Sequence, residues 1–150
     1  MNDRYFFRGK TSDLDVFITG YYYYSEAENA HYIMGDSNDY GLQKMQVNPS
    51  TIGQCTGLLA KKSYQGTHHR DLLIFEGDIV KFVSTSMSVA HHGIDEGIGV
   101  VFWHNYAWGV EFGKHNNFLW EVDIEIDDLE IIGNIYDTPE LMLFITEGVE

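Results

Sequence analysis

Short stretches of alternating apolar and polar residues, separated by glycine, run along most of the chain and predict β-strands. Residues 5–10 and 16–24 are rich in aromatic and β-branched residues and flank a turn-like segment, which predicts an antiparallel hairpin. The chain has 15 glycines against 2 prolines, so its turns are expected to depend on glycine. The pattern therefore indicates a mainly β fold.

The strand signals continue on both sides of a break at residues 48–53, where Pro49 cannot donate a hydrogen bond to a sheet. Before the break, further strands are predicted at residues 30–34 and 42–47. After it, the predicted strands are residues 72–83, 97–104, 108–112, 118–126 and 129–136. Short strands at this spacing are typical of a small barrel or a sandwich.

We therefore predict an N-terminal β region over residues 1–56, formed by the hairpin and a meander. A barrel region with a C-terminal turn or helix is predicted over residues 57–150. The helical turn is expected after Pro139, because proline is favoured at the first position of a helix. The two regions are also compatible with packing as one unit.

Tyrosine occupies positions 21 to 24 without interruption. In a strand these side chains alternate, two to each face, so both faces of the strand carry aromatic rings. Such a strand suits a position covered on both sides or a position at an interface. Tyr22 and Tyr24 are the candidate contact residues from this run.

Five local motifs occur in a fixed order along the chain. They are residues 7–10 (Phe-Arg-Gly-Lys), 54–58 (Gln-Cys-Thr-Gly-Leu), 76–80 (Glu-Gly-Asp-Ile-Val), 132–136 (Ile-Gly-Asn-Ile-Tyr) and 139–141 (Pro-Glu-Leu). As an ordered set they resemble the YopX-like family of phage and prophage proteins. The resemblance implies a mainly β protein with a C-terminal SH3-like barrel, and it brings no catalytic residues.

The glycines in these motifs have structural explanations. Gly77 stands at a strand entry, where a bulge or tight turn with positive φ is expected. Gly133 lies inside an apolar strand, where a kink or close backbone packing is expected. These positions predict the fold rather than a reaction.

Two loops differ from the resemblance and each carries a pair of histidines, which makes them the candidates for metal binding. The loop at 61–71 holds His68 and His69, and the longer loop at 84–96 holds His91 and His92. Structural zinc sites usually combine Cys and His at closer paired spacings, and Cys55 is the single cysteine of the chain. Surface histidines are the simpler interpretation, and no cofactor is predicted.

The chain carries a formal net charge of −14, and residues 121–150 contain ten acidic residues and no lysine or arginine. Direct binding to nucleic acid is disfavoured because such binding depends on cations. Asp123, Glu125 and Asp127 alternate with aliphatic residues, which places the three carboxylates on one strand face. This acidity indicates either a solvated surface or a contact surface for a basic partner, including mimicry of DNA.

Aromatic residues are dense between positions 102 and 120, and most are expected in a barrel core. Tyr106 and Trp108 fall in or near a turn between two strands. Aromatic residues at strand ends form peptide grooves or anchor subunit contacts. These two residues are therefore further interaction candidates.

The cysteine count and the motifs that the sequence lacks argue against several classes of protein. One cysteine cannot form an intramolecular disulfide, and no signal peptide or membrane-spanning stretch is recognised, so a cytoplasmic protein of a bacterial host is expected. The chain shows neither a nucleophile elbow nor a phosphate-binding loop, so an enzyme is not predicted.

The function predicted from the sequence is protein–protein contact by a non-enzymatic β protein of phage origin. Its partner would be a host protein, a phage protein or a further copy of the chain in a homo-oligomer. Two alternatives stay open. One is a small-molecule or metal-binding protein that uses the histidine loops, with or without hydrolytic activity. The other is an acidic DNA mimic that inhibits a basic host protein.

Overall fold

The computed structural model describes residues 5–37, 41–83, 96–104, 107–112, 117–120 and 128–142. β-Strands dominate these residues, and the α-helix among them, α1, covers only His69–Leu72. The prediction of a mainly β fold is confirmed. The chain divides into two compact units, Met1–Gly57 and Leu58–Glu150.

The first unit is built on an antiparallel sheet whose strands follow the order β4-β3-β2-β1-β5. These strands are β1 (Phe7–Lys10), β2 (Phe17–Ser25), β3 (Ala30–Ser37), β4 (Gly41–Gln46) and β5 (Gly53–Leu59), the last of which crosses the division between the units. The predicted hairpin is confirmed as β1 and β2, with Phe7 opposite Gly20. The prediction missed β5.

Strand β2 pairs with β1 along its first part and with β3 along its second part, and the change occurs at Gly20. Residues 17–20 pair with β1, whereas residues 21–25 pair with β3. A Cβ atom on Gly20 would lie 2.1 Å from the carbonyl oxygen of Met34, a contact that no side chain tolerates. Glycine is therefore required for the close approach of β2 and β3.

The second unit contains an open sheet with strand order β11-β10-β9-β8-β12-β6. Its neighbours are antiparallel except β12 and β6, which are parallel. The strands of this unit are β6 (Lys62–Ser63), β7 (Leu73–Phe75), β8 (Asp78–Val83), β9 (Glu96–His104), β10 (Ala107–Phe112), β11 (Asn117–Trp120) and β12 (Glu130–Asn134). Over the described residues the sheet does not close, so the predicted SH3-like barrel is not confirmed.

The single strand predicted at residues 72–83 is two strands, β7 and β8. Gly77 adopts a φ of 90° in the turn between them, as the pattern around it predicts. The carboxylate of the buried Asp78 accepts a hydrogen bond from the Phe75 N–H at 2.8 Å. The break between β7 and β8 was not predicted because the turn is short and apolar segments lie on both sides of it.

The sheet of the second unit is apolar on both faces. One face carries the main core cluster, which consists of Ala60, Ile74, Val80, Phe82, Val101, Val110, Phe112, Leu129 and Ile131. The other face carries Ile79 and Val100, with partly buried neighbours that include Ile135 and Leu141. Adjacent strand residues such as Ile79 and Val80 therefore supply different clusters, because side chains alternate across a strand.

Within the described part of the chain, no helix is long and apolar enough to cross a membrane.

Candidate interaction surface

The hairpin of β2 and β3 distributes the four tyrosines over the two faces of the first unit's sheet. Tyr21 lies opposite Met34 and Tyr23 lies opposite Tyr32, while Met34 is opposite Lys44 on β4. Residues that are directly opposite in an antiparallel pair project to the same side of the sheet. We call this side, formed by Tyr21, Tyr23, Tyr32, Met34 and Lys44, the tyrosine face.

Two rings of the tyrosine face are open to solvent. Tyr21 is 49% exposed and Tyr23 is 37% exposed. Neighbouring rings hold them in place, since Tyr21 packs edge-on against Phe6 with centroids 5.3 Å apart, and Tyr23 stacks on Tyr32 at 5.4 Å. These contacts produce an ordered aromatic surface on a β-sheet, which costs little conformational entropy when a partner binds.

Lys44 and Glu28 form a polar cluster with Tyr23 and Tyr32 at one end of the tyrosine face. The Lys44 ammonium lies 4.5 Å from the centroid of the Tyr32 ring and 3.9 Å from a Glu28 carboxylate oxygen. The Tyr32 hydroxyl donates a hydrogen bond to the other Glu28 oxygen. A hydrogen bond to Tyr23 and the charge of Glu28 raise the pKa of Lys44 above its ordinary value.

The pKa of Tyr32 is also raised above its ordinary value of 10.0, first because its hydroxyl donates to Glu28. The folded state holds the Tyr32 proton more tightly than the unfolded state does. The resulting stabilisation of the fold is therefore complete below pH 10 and is lost as the pH rises through the raised pKa.

Substitution E28Q is expected to lower the pKa of Tyr32, because it removes the negative charge beside the phenol. An alkaline NMR titration of tyrosine labelled at Cζ measures this.

The matched control for this titration is E26Q, which neutralises an exposed carboxylate on the same turn. We expect E26Q to leave the pKa of Tyr32 unchanged. An equal effect of both substitutions would show that the local hydrogen bond does not set the pKa of Tyr32.

Two further cations lie on the same side of the sheet, over Phe17 at the beginning of β2. The Arg8 guanidinium carbon is 4.6 Å from the ring centroid and the Lys10 ammonium is 5.3 Å from it. Both residues are buried, and Lys10 lies 3.7 Å from the exposed Asp15 carboxylate. Aromatic rings on this side of the sheet therefore hold cations in several places.

The sequence-predicted contact residues Tyr22 and Tyr24 lie on the opposite face, which also carries the buried Ile33. Tyr22 is half-buried, and its hydroxyl is 2.7 Å from Nδ1 of His31. Tyr24 is 43% exposed and donates a hydrogen bond to the side chain of Asn29. The alternation was predicted, but the sequence alone did not show that Tyr22 shares its face with the buried Ile33.

The histidines of the 61–71 loop are exposed near α1. His68 precedes α1, and its backbone N–H donates a hydrogen bond to the Asp71 carboxylate at 3.3 Å. His69 is the first residue of α1. Among the described residues no group of three or more His, Cys, Asp or Glu is placed to share a metal ion. His91 and His92 lie outside the described residues, so the pairing of the two loops stays a prediction.

Trp108, a predicted interaction candidate, is half-buried in the second unit and packs against its main core cluster. Its ring lies edge-on to Trp103, with centroids 5.1 Å apart, and Trp103 is 50% exposed. Sequence reasoning did not select Trp103. The candidates Tyr106, Asp123, Glu125 and Asp127 lie outside the described residues.

Residues 133–138 form a turn around Asn134, whose side chain is completely buried. Its amide oxygen accepts hydrogen bonds from the N–H groups of Tyr136 and Asp137 at 3.0 and 2.9 Å. Its amide nitrogen donates to the Tyr64 hydroxyl and to the Asp137 carboxylate, each at 3.1 Å. The motif at residues 132–136 therefore stabilises a turn through Asn134.

The comparison with known proteins gives one family. The family model described as YopX protein matches residues 7–143, so the match covers most of both compact units. No curated protein and no solved structure matches the chain.

Proposed function

The chain belongs to the YopX protein family, and from this premise we propose that it is a non-enzymatic protein that binds another protein through its tyrosine face. The setting that we propose is the cytoplasm of a bacterial host, with a phage or prophage as the source of the gene. The partner is a host protein, a phage protein or a second copy of the chain.

The observation that carries this proposal is the exposure of two ordered tyrosines side by side on one strand. Tyr21 and Tyr23 expose 49% and 37% of their surfaces although each packs against another aromatic ring. Tyrosine is enriched among the residues that dominate binding energy at protein interfaces, because it combines a large apolar area with a hydroxyl group. The tyrosine face has this composition.

The use of polar residues in the matched motifs agrees with a non-enzymatic role. Asn134 and Thr138 are engaged in hydrogen bonds of one turn, and the Asp78 carboxylate accepts a hydrogen bond at the entry to β8. Arg8 and Lys10 are buried beside Phe17. Asn134, Thr138 and Asp78 therefore stabilise turns of the backbone, whereas Arg8 and Lys10 pack over an aromatic ring.

Affinity capture with matched variants tests the proposal. Tagged wild-type protein, the double variant Tyr21→Ser/Tyr23→Ser and the single variant Tyr24→Ser are incubated with lysate of cells that carry the gene. We expect the double variant to lose at least about tenfold of the captured partner, since truncation of a tyrosine that is an interface hot spot costs about 2 kcal/mol or more. Tyr24→Ser is expected to retain it, because Tyr24 lies on the opposite face.

Sedimentation velocity of the same three proteins examines self-association, and circular dichroism verifies that each variant is folded. Equal capture and equal sedimentation by the double variant and wild type would contradict the proposal. Loss of the captured partner in Tyr24→Ser alone would also contradict the proposal, because the contact would then lie on the face that carries His31.

A further inference from the structure

The second part of β2 has a backbone edge with which no described residue pairs. Residues 17–20 lie between β1 and the rest of the sheet, whereas residues 21–25 pair with β3 alone. The pairing of β1 with β2 begins at Phe7, and the preceding Tyr5 lies in a 3₁₀ turn and is 63% exposed. This part of the chain therefore does not extend β1 along the end of β2.

A hydrogen bond on the β4 side shows which backbone groups point to this edge. The His31 carbonyl oxygen accepts a hydrogen bond at 2.9 Å from the residue that follows β4, so the backbone groups of His31 point to β4. These groups alternate in direction along a strand, so Tyr32 points to β2 and its partner Tyr23 points back to β3. The N–H and C=O groups of Tyr22 and Tyr24 therefore point away from β3. We call these four groups the open edge.

The β1 side gives the same direction independently. The Phe6 carbonyl oxygen accepts a hydrogen bond from the Cys55 N–H at 2.9 Å, so Phe6 points to β5. The next residue, Phe7, then points to β2, where it lies opposite Gly20. Gly20 in turn points to β1, and Tyr22, two positions later, points in the same direction.

The open edge lacks the features that usually protect a strand edge from pairing, which are charged residues, prolines and bulges. Residues 16–25 contain no charged residue and no proline, and their pairing with β3 has no bulge. At the other end of the strand order, β4 carries Lys44, and the Gln46 carbonyl oxygen accepts a hydrogen bond from the Ser12 N–H at 3.0 Å. Of these two edges, the open edge of β2 is the one suited to a further strand.

A second copy of the chain fits the open edge less well than a free segment does. If two β2 strands paired antiparallel around Tyr23, Glu26 of one copy would lie opposite Gly20 of the other, each three positions from the centre. Phe7 already occupies the position opposite Gly20. A free extended segment can continue past Ser25 without meeting β1.

From these observations we infer that the open edge binds an extended segment of a different protein as an additional β-strand, held by main-chain hydrogen bonds. The segment is uncharged where it pairs, because residues 16–25 offer no opposite charge and Lys44 is already paired with Glu28. β-Branched residues suit it, since they pack well beside aromatic residues across strands. The inference rests on the proposed function, because alternate side chains of the added strand would lie beside Tyr21 and Tyr23 of the tyrosine face.

Fluorescence anisotropy with a labelled decapeptide of alternating valine and threonine tests the inference. We expect wild-type protein to bind this peptide. The same peptide with every amide nitrogen methylated keeps its side chains but donates no hydrogen bond, and it should not bind. A peptide with glutamate in place of valine should bind at least about tenfold more weakly, because the chain carries a net charge of −14.

Proline at position 24 separates backbone pairing from side-chain contact. Tyr24→Pro removes an N–H that points away from β3, so it keeps the pairing with β3 and should weaken peptide binding at least about tenfold. Tyr24→Ser keeps that N–H and removes a ring that packs on His31 of β3, so it should bind within about twofold of wild type. Circular dichroism verifies that both variants are folded. Equal binding by Tyr24→Pro and wild type would overturn the inference.

Residue-resolved amide hydrogen exchange tests the open edge without any variant. In the free protein we expect the amides of Tyr22 and Tyr24 to exchange at least about tenfold faster than that of Tyr23, which pairs with β3. Saturation with the valine–threonine peptide should slow the exchange of Tyr22 and Tyr24. Slow exchange of these two amides in the free monomer would overturn the inference, because the edge would already be covered.

The failure of the inference is distinguishable from failure of the proposed function. If the free protein sediments as a dimer and Tyr24→Pro as a monomer, the edge pairs two copies, which overturns the inference of a different protein. If the methylated peptide binds and needs Tyr21 and Tyr23, the inference is overturned while the tyrosine face remains a protein-binding surface. If no peptide binds, the inference is also overturned, and the proposed function is judged by the captured partner and by sedimentation.

Discussion

Substitution Asn134→Leu is expected to destabilise the second unit by about 3 kcal/mol, because it removes four hydrogen bonds of a completely buried side chain. Leucine has the same branching as asparagine, with two larger methyl groups in place of the amide atoms, and it leaves the N–H groups of Tyr136 and Asp137 without their acceptor. The turn also supports close packing at Gly133, where a Cβ atom would lie 2.1 Å from the Thr138 hydroxyl oxygen.

Urea denaturation followed by tryptophan fluorescence measures this loss. All three tryptophans, at positions 103, 108 and 120, belong to the second unit, so their signal reports on its unfolding. The graded control is Tyr64→Phe, which removes one acceptor of the Asn134 amide and should cost about 1 kcal/mol. If Asn134→Leu cost no more than Tyr64→Phe, the network would not be the main support of this turn.

Substitution Gly20→Ala is expected to separate β2 from β3 and to destabilise the first unit by about 3 kcal/mol. The added Cβ would lie 2.1 Å from the carbonyl oxygen of Met34, 2.7 Å from its carbon and 2.9 Å from the Cα of Gly35. These are backbone atoms, so the strands themselves must shift to relieve the contact. Binding through the tyrosine face should be lost with the pairing, because Tyr21 follows Gly20 directly.

Amide hydrogen exchange of the peptides that cover β2 and β3 measures the effect, with faster exchange expected in the variant. Gly9→Ala is the control, since the three atoms nearest to its Cβ would be side-chain atoms of Val47, at 3.1–3.3 Å. Because side-chain atoms can shift more easily than backbone, its effect should be clearly smaller. Unchanged exchange in Gly20→Ala would show that the two strands tolerate a wider spacing.

Much of the strand arrangement follows from patterns that the sequence contains. The hairpin of β1 and β2 was predicted from two aromatic segments around a turn, and Gly77 was predicted to need positive φ, which it has at 90°. Such features depend on neighbouring residues alone. Short-range steric rules and strand alternation therefore determine them.

The rest depends on contacts between distant residues. Alternation places Tyr21 and Tyr23 on one face, but only the pairing with β3 shows that Ile33 is buried on the other. The close approach at Gly20 requires the backbone of Met34, fourteen positions later in the chain. The predicted barrel depended on closure of the sheet, which strand spacing does not determine.

The candidate residues also divide into those whose position follows from the local sequence and those whose contacts depend on strand pairing. Trp108 was expected near a turn, and its contact with Trp103 follows from the register of β9 and β10. The cluster of Glu28, Tyr32 and Lys44 was not predicted, because its members come from a turn and from two strands. A lysine paired with an aromatic ring across strands has no signature in a single sequence.

Site-specific photo-cross-linking tests the central claim, binding through the tyrosine face, most directly. A photoreactive phenylalanine analogue is introduced separately at Tyr21, Tyr23, Tyr24 and the exposed Tyr64 of the second unit, in cells that carry the gene. We predict one defined cross-linked product, with the same partner or a second copy of the chain, from positions 21 and 23 only. Cross-links from positions 24 or 64 together with none from 21 and 23 would contradict the account.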